Sequence, residues 1–245
     1  MPASKNWIKC WRRLEKAWRR PPKSEQGWEI LQLKIDLHVH THFSYDSLIT
    51  PEELISYAKK RGLDGLAVTD HDRIDCALKM AKETDFLIIP GIEISSLHGH
   101  LIGLNLQERI PRGLSVDETV DKIHDAGGIA VACHPATFFK GNLKGHINSK
   151  FDAVEVINAS ALPFSYSVKR SERLASCLLI SRVAGSDAHY GPEIGCAYTI
   201  IDAELEAEKI IKAIRKGLCQ PFGRAIPLKT RLKREFLIFK RKILV

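Results

Sequence analysis

The chain has 245 residues, of which 44% are apolar and 27% are charged. This composition excludes a mainly disordered chain, because it supplies enough apolar side chains for one large domain with a sizeable core. No apolar run reaches the roughly 18–20 residues of a membrane span, and we expect no secretory signal at the basic N-terminus. The six cysteines form no C-x-x-C pair, which favours a cytoplasmic protein over a disulfide framework.

The positive charge lies at the two ends of the chain. The formal net charge is +8, and residues 1–24 and 222–245 each carry eight basic residues and one acidic residue. The middle of the chain therefore has a net charge of −6, which argues against a nucleic-acid interface across the whole domain. We predict a basic amphipathic extension over residues 1–27, one folded domain over residues 28–221 and a basic tail over residues 222–245.

The N-terminal extension has the pattern of an amphipathic helix. Trp7, Trp11, Leu14 and Trp18 recur at helical spacing, with lysines and arginines on the opposite face. Such a helix is typical of contact with a membrane surface or a partner protein, which would make the protein peripheral at a membrane. Docking on the surface of its own domain is an equal alternative, and RNA is a third partner to consider. The tail over residues 228–245 has a similar character.

Short apolar strands alternate with helices from Leu33 onward. Strands are predicted over residues 33–37, 65–69, 86–94, 100–104, 129–133, 153–157, 182–185 and 198–201, and helices over 50–62, 74–83, 115–127, 167–178 and 204–216. Capping boxes at Thr50 and Ser115 mark the start of two of the helices. This alternation indicates an α/β domain with a parallel sheet, and at this length a barrel is favoured over an open sheet.

Histidines and carboxylates gather in or directly after the predicted strands. The residues concerned are His38, His40, Asp46, His71, Glu93, His100, His134, Asp187 and His189. Because the strands of a parallel barrel open onto one face, we expect these side chains to converge there. Imidazole and carboxylate together suit Zn, Mn or Fe, and so many polar groups would be costly to bury without a metal. No cysteine is among them, which argues against a structural thiolate site.

The other histidines are expected to lie outside this cluster. His42 is predicted at the mouth of the barrel, and His98 in a loop before a strand. His124 and His146 are predicted to be solvated, in a helix and in a loop respectively.

The motifs Asp-x-His-x-His-Thr, Thr-Asp-His, Pro-Gly-Ile-Glu-Ile-Ser, Cys-His-Pro and Gly-Ser-Asp-Ala-His resemble the signature of the PHP (polymerase and histidinol phosphatase) family. The chain is most similar to the stand-alone metal-dependent phosphoesterases of that family, over residues 34–220. The resemblance implies a distorted (β/α)7 TIM-like barrel and a trinuclear centre. Two to three Mn, Zn or Fe ions would be held by the nine residues above. Some branches of the family have His at the position of Asp46, whereas Asp at this position is typical of the small phosphoesterases.

The resemblance also implies the chemistry, which is hydrolysis of phosphate esters by attack of a metal-bound hydroxide. His134, Asp187 and His189 are the residues expected to be catalytic. Either histidine could supply the proton for the leaving oxygen. The acidic residues Asp36, Asp70 and Asp72 are predicted to orient ligand imidazoles from outside.

A second phosphate of the substrate is expected to meet a basic side chain that follows the later strands. Arg170 is favoured, because relatives that act on bisphosphates place an arginine in this region. Lys140, Lys144 and Arg173 are further candidates, and an ordinary solvated surface is an equal explanation for all four residues.

Three functions fit these observations. The first is a phosphoesterase for a nucleotide, a nucleoside bisphosphate or a similar small phosphorylated substrate. The second is a PHP-type exonuclease that acts on short RNA or DNA, which the basic ends would hold. The third is a non-catalytic accessory subunit of a nucleic-acid complex, against which the complete set of ligand positions argues.

Overall fold

The computed structural model describes residues 31–137, 143 and 145–243. The strands are β1 (Leu31–Val39), β2 (Gly65–Val68), β3 (Leu87–Ser96), β4 (Gly99–Leu104), β5 (Ile129–Ala132), β6 (Ala153–Asn158), β7 (Ser181–Gly185), β8 (Ala197–Ala203) and β9 (Cys219–Gly223). The helices are α1 (Pro51–Lys60), α2 (Asp75–Glu83), α3 (Val116–Asp125), α4 (Phe164–Leu178), α5 (Ala207–Arg215) and α6 (Leu228–Ile243). The predicted extension over residues 1–27 lies outside the described residues. Within the described ranges, no helix has the length and apolar character needed to cross a membrane.

The nine strands form one sheet that curls into a nearly closed barrel. Its order is β7-β6-β5-β4-β3-β2-β1-β8-β9. The first half of β1 pairs with β8, whereas its end meets the chain that follows β7. There the amide of Asp187 donates to the carbonyl of His38 at 2.8 Å, and the amide of His40 donates to the carbonyl of Ala188 at 3.0 Å. The predicted α/β barrel is therefore confirmed.

The sheet is mixed, however, and not wholly parallel as the alternation of elements indicated. The strands β1, β2 and β3 pair in parallel, as do β5, β6 and β7. In contrast, β4 is antiparallel to β3, because a short turn and not a helix joins the two strands, and it is therefore also antiparallel to β5, which runs in the direction of β3. The strand β9 was not predicted, since Pro221 normally interrupts a strand; here it is tolerated because β9 lies at the edge of the sheet.

Buried side chains on both faces of the sheet fix the strands in place. Leu33 and Ile35 of β1 pack in the same buried cluster as Ile210 and Ile214 of α5. The helices α1, α2 and α3 contribute to a second cluster, which also contains apolar residues of β2, β3 and β4. Both predicted capping boxes are confirmed at the starts of α1 and α3. The ends of the strands are thereby rigid supports for the side chains that follow them.

Gly185 lies where β7 passes close to β1. A Cβ atom at this position would be 2.4 Å from the Cβ of His38 and 2.8 Å from Oε1 of Glu155. We therefore expect Gly185→Ala to lower the free energy of unfolding by about 1–3 kcal/mol, the usual cost of overpacking. Chemical denaturation of the purified variant measures this effect. An unchanged free energy of unfolding would show that β7 and β1 can move apart enough to accommodate the added methyl group.

Candidate metal centre

The nine predicted side chains meet at one end of the barrel. Most of them follow the C-terminal ends of β1, β2, β5 and β7, and Glu93 lies within β3. His100 is at the start of β4, which reaches the same end because it runs in the opposite direction. The structure therefore brings all nine residues together, as the positions of the strands predicted.

Glu93 is the centre of this cluster. Its carboxylate oxygens lie 2.9–3.3 Å from ring nitrogens of five histidines, which are His38, His40, His71, His100 and His134. Burial alone would raise the pKa of Glu93, but the surrounding imidazoles, above all His38 and His71, hold it well below its ordinary value. Glu93 is therefore a buried anion that several imidazoles face.

Two further carboxylates complete the cluster. Oδ2 of Asp46 lies 3.3 Å from Nε2 of His189 and 3.6 Å from Nε2 of His71. Oδ1 of Asp187 lies 3.5 Å from Nε2 of His40 and 3.5 Å from Nδ1 of His189. Burial opposes ionisation of Asp46, yet hydrogen bonds from the two imidazoles beside it bring its pKa below the ordinary value.

The cluster contains polar atoms that the protein itself does not satisfy. Oδ1 of Asp46 and Nδ1 of His134 are buried without a hydrogen-bond partner among the described residues. Nε2 of His38 and Nε2 of His40 lie only 3.1 Å apart. Ligand atoms within 4.8 Å of one another are offered by His40, His71 and His189, and separately by His38, His134 and Asp187. Crowded nitrogen and oxygen lone pairs of this kind fit divalent cations, so these residues could hold more than one metal ion.

In two of the clustered histidines, the ring nitrogen Nδ1, which points away from the cluster, faces a hydrogen-bond acceptor of the protein. Nδ1 of His38 lies 3.0 Å from Oε1 of Glu155, and Nδ1 of His40 lies 3.2 Å from Oγ of Ser44. The Ser44 hydroxyl in turn donates to Asp70 at 2.8 Å. In the neutral ring each Nδ1 then carries the proton, which leaves on Nε2 a lone pair that faces the cluster.

Glu155 and Ser44 were not predicted from the sequence. A single carboxylate within the apolar strand Ala153-Val-Glu-Val-Ile is the signal that could have identified Glu155, because a buried acid requires a partner. Ser44 carries no comparable signal, since an isolated serine in a loop is common.

Of the three acidic residues predicted to orient imidazoles, Asp70 does so indirectly, through Ser44. The prediction is wrong for Asp36 and Asp72. Asp36 accepts hydrogen bonds from the amides of Ser186 at 2.8 Å and Gly195 at 2.9 Å, and burial raises its pKa to about 6. Asp72 accepts from the amide of Ser95 at 2.8 Å. Both carboxylates therefore hold backbone near the site and not the ligand rings.

Two of the clustered residues have an uncommon backbone conformation. The φ angle is +31° at His134 and +52° at Asp187, a region that costs a residue other than glycine about 1–3 kcal/mol. Hydrogen bonds stabilise both positions, from the His134 amide to Glu155 at 2.7 Å and from the Asp187 amide to His38 at 2.8 Å. Backbone strain is concentrated at the cluster, as is common at functional sites.

The predicted phosphate contact Arg170 lies on the exposed surface of α4, where its Nη1 is 3.3 Å from the hydroxyl of Tyr166. Arg173 is also exposed, and Lys140 and Lys144 are outside the described residues. The contact of Arg170 with a second phosphate stays a prediction.

The remaining histidines lie outside the cluster, as expected. His98 and His146 stack on one another, with ring centroids 3.9 Å apart, and Nε2 of His124 lies 2.7 Å from Asp152. His42 is exposed beside Phe43, with ring centroids 4.8 Å apart.

A cysteine does approach the cluster, contrary to the expectation from sequence. Sγ of Cys133 lies 3.7 Å from Oε1 of Glu93 and donates to the carbonyl of His100 at 3.2 Å. Burial, followed by the nearby carboxylates, raises the pKa of Cys133 well above its ordinary value. In the metal-free protein this favours the neutral thiol of Cys133, although its Sγ lies within 4.8 Å of ligand atoms of Glu93 and His134.

The C-terminal helix α6 supports the loop that carries Asp46. Arg241 donates from Nη1 to the carbonyl of Ser47 at 2.8 Å and from Nη2 to the carbonyl of Tyr45 at 2.7 Å. These two carbonyls flank Asp46, so one guanidinium fixes the loop on both sides.

We expect Arg241→Gln to weaken the binding of Mn²⁺ by about tenfold, because partners outside a metal site typically contribute 10–100-fold to affinity. Calorimetric titration of the metal-free protein with Mn²⁺ measures this change. Lys240→Gln, at the neighbouring exposed position, is the control. Equal affinity of both variants would show that the loop keeps its conformation without Arg241.

A second arginine of α6 supports the segment after β7. Nη1 of Arg234 lies 3.1 Å from Oε1 of Glu193, and Oε2 of Glu193 accepts a hydrogen bond from the amide of His189 at 2.9 Å. The sequence did not predict either contact.

Comparisons with known proteins agree with this geometry. Residues 36–158 match the PHP domain family, and residues 166–219 match the family described as PHP-associated. An uncharacterised protein of Methanocaldococcus jannaschii is 38% identical over 141 residues, which are 52% of this chain and 82% of that protein. A 5′-3′ exoribonuclease of Haemophilus influenzae is 40% identical over 86 residues, but these are only 32% of this chain and 31% of the exoribonuclease.

A solved structure shares the fold. It is a two-domain protein from Bacteroides vulgatus that contains a predicted PHP-like metal-dependent phosphoesterase, with a TM-score of 0.67, 18% identity, and coverage of 89% of this chain and 72% of that one. The family match spans half of the chain and includes seven of the nine clustered residues. The chain belongs to the PHP family.

Proposed function

We propose that the protein is a metal-dependent phosphoesterase that hydrolyses a phosphate ester of a nucleotide, a nucleoside bisphosphate or a similar small molecule. The observation that carries this proposal is the convergence of nine histidine, aspartate and glutamate side chains at one end of the barrel. Membership of the PHP family and the likeness to a solved phosphoesterase fold support it.

The metal ions would be held by His38, His40, Asp46, His71, Glu93, His100, His134, Asp187 and His189. When bound, two or three divalent ions such as Mn, Zn or Fe lower the pKa of water and neutralise phosphoryl oxygens. Glu155 and Ser44 keep the proton of two imidazoles on the outer nitrogen, so that the inner nitrogens stay available.

A proton for the leaving oxygen would come from His189 or His134. His189 is favoured, because its Nε2 lies beside Asp46, whose side chain is 32% exposed. In this role His189 would donate from Nε2 and would not hold a metal ion through the same nitrogen. His134 is almost fully buried, so a leaving group reaches it less easily. Arg170 is the proposed contact for a second phosphate of the substrate.

Metal removal followed by a phosphatase screen tests this function. The screen uses a mononucleotide, a nucleoside 3′,5′-bisphosphate and a 5′-phosphorylated short RNA. We expect chelation to abolish hydrolysis and Mn²⁺ to restore it. His40→Ala and Asp187→Ala should each remove most activity, whereas His98→Ala, a control histidine outside the cluster, should retain it. Full turnover by metal-stripped protein would contradict the proposal.

A second candidate is a 5′-3′ exonuclease for short RNA or DNA. The similarity to an exoribonuclease favours it, although this chain spans only about a third of that relative. The basic ends would contribute phosphate contacts, which make affinity fall steeply with salt. Preferred hydrolysis of 5′-phosphorylated RNA over mononucleotides, with this salt dependence, would support the exonuclease.

We propose further that residues 1–27 contact a membrane surface or a partner protein, in a protein located in the cytoplasm. Contact with phosphate requires basic side chains but not the several tryptophans of this segment, which favour a membrane surface or an apolar partner. Deletion of residues 1–27 is expected to leave hydrolysis of a small monoester nearly unchanged, since none of the proposed ligands lies there. Steady-state kinetics on the truncated protein measure this, and loss of folding on truncation would make the segment structural.

A further inference from the structure

The C-terminal helix α6 turns its arginines toward the barrel. Arg231 is 9% exposed, and its guanidinium donates to the carbonyls of Ala159 at 2.7 Å, Ser160 at 3.0 Å and Ile226 at 3.1 Å. Arg234 and Arg241 make the contacts with Glu193 and with the Asp46 loop described above. These three arginines are spaced so that they lie on one side of the helix.

Four apolar residues of α6 face away from the barrel, whereas Leu237 and Ile238 are half-buried. Leu228, Leu232, Phe236 and Phe239 are each between 60% and 70% exposed. At about 100° per residue they fall within an arc of roughly 80°, which makes a continuous stripe along the helix. An amphipathic helix on a globular domain normally buries such a stripe. Here the arginine contacts on the opposite side prevent the helix from rolling to bury it.

Exposed lysines adjoin this apolar stripe. Lys229, Lys233 and Lys240 are exposed and lie within about 40° of one another, directly beside the stripe. The ammonium of Lys233 also lies 5.9 Å from the ring centroid of Tyr190, so Lys229 and Lys240 are the two that face solvent alone. The single acidic residue of the helix, Glu235, is paired with Arg234, whose Nη2 lies 2.9 Å from its Oε1, against the three exposed lysines. The outward side of α6 therefore combines an apolar line with unbalanced positive charge.

We propose that the outward side of α6 is a docking surface for membranes that contain anionic lipids. Leucine and phenylalanine would enter the interfacial region, while the lysines beside them would meet the negatively charged headgroups. This charge complementarity favours a lipid surface over a second copy of the chain, whose own lysines would repel those of α6. The surface is separate from the metal centre and does not depend on the proposed reaction.

Sedimentation with lipid vesicles tests this proposal, for the full chain and for the chain without residues 1–27, which are proposed above to contact a membrane or a partner protein. The vesicles contain either phosphatidylcholine alone or phosphatidylcholine with 30% phosphatidylserine. We expect the wild-type protein to bind the phosphatidylserine vesicles, and the double variant Leu232→Ser/Phe236→Ser to bind them at least about tenfold more weakly. Leu205→Ser, which changes an exposed leucine elsewhere, should bind like the wild type. High salt should weaken binding without abolishing it, because the apolar contribution is not screened.

Three results would overturn the proposal. The first is equal binding by the wild type and the double variant. The second is absence of wild-type binding to phosphatidylserine vesicles. The third is a dimer that the double variant dissociates, as measured by analytical ultracentrifugation, since a second copy would then cover the stripe. The melting temperature of the double variant should equal that of the wild type, because both substituted side chains are exposed.

Discussion

Replacement of Glu93 by glutamine is expected to reduce metal-dependent hydrolysis by more than about 100-fold, beyond the usual effect of partners outside a metal site. The carboxylate of Glu93 lies within 3.3 Å of ring nitrogens of five histidines. Glutamine keeps the shape of the side chain but removes the negative charge that these imidazoles, or bound cations, share. Turnover of a mononucleotide and metal content after dialysis measure the two consequences.

The control for this substitution is Glu108→Gln, at an exposed position on the loop after β4. It makes the same chemical change away from the cluster and should leave both turnover and metal content unchanged. If Glu93→Gln retained its metal and lost only turnover, Glu93 would act on the substrate and not as a ligand. Retention of both would contradict the role assigned to Glu93.

The position of the cluster could be predicted because it depends on local patterns. His38 and His40 are two residues apart on a strand, so their side chains share one face. The other clustered residues follow or interrupt apolar runs, and strand ends in a barrel share one side. Both inferences require only the two-residue period of side chains on a strand and the order of strands and helices along the chain.

Most of the supporting contacts could not be predicted as pairs, because they join residues that are far apart in sequence; Ser44 and His40 are only four positions apart, but an isolated loop serine gives no signal. Glu155 meets His38 across 117 positions, and Arg241 meets Tyr45 across 196. The antiparallel direction of β4 was not predicted for a related reason. Whether a short connection forms a hairpin depends on which strand the next segment pairs with, and that pairing is a tertiary contact. His100 reached the expected place only because that strand runs in reverse.

The helix α6 illustrates a limit of amphipathic patterns. Periodicity identifies an apolar side and a basic side, and the usual expectation is that the apolar side packs on the domain. In the structure the arginines face the domain together with the half-buried Leu237 and Ile238, because carbonyl groups at the edge of the barrel, such as those of Ala159 and Ser47, accept hydrogen bonds from arginines. The sequence of the helix alone does not show that backbone carbonyl acceptors lie opposite its arginines.

The stability of the metal-free protein is expected to fall as the pH rises from 6.5 to about 9. Burial alone would lower the pKa of His40, but hydrogen bonds to Asp187 and Glu93 raise it to about 9. The folded state then binds this proton more tightly than the unfolded chain does. The resulting stabilisation is complete below pH 6.5 and is lost as the pH rises through 9. Asp36 changes protonation between 3.8 and about 6, outside this window.

Mn²⁺ binding should become tighter over the same pH range, because a ligand imidazole must lose its proton to bind a metal. The dissociation constant is expected to fall by about tenfold per pH unit for each imidazole proton displaced. Calorimetric titrations at pH 6.5, 7.5 and 8.5, in buffers with different ionisation enthalpies, give both the constant and the number of protons released. His124→Gln, outside the cluster, should keep the wild-type slope, whereas His40→Gln should reduce it. A constant affinity between pH 6.5 and 8.5 would show that the imidazoles are already neutral in the metal-free protein, and that the carboxylates around His40 do not hold a proton on its ring.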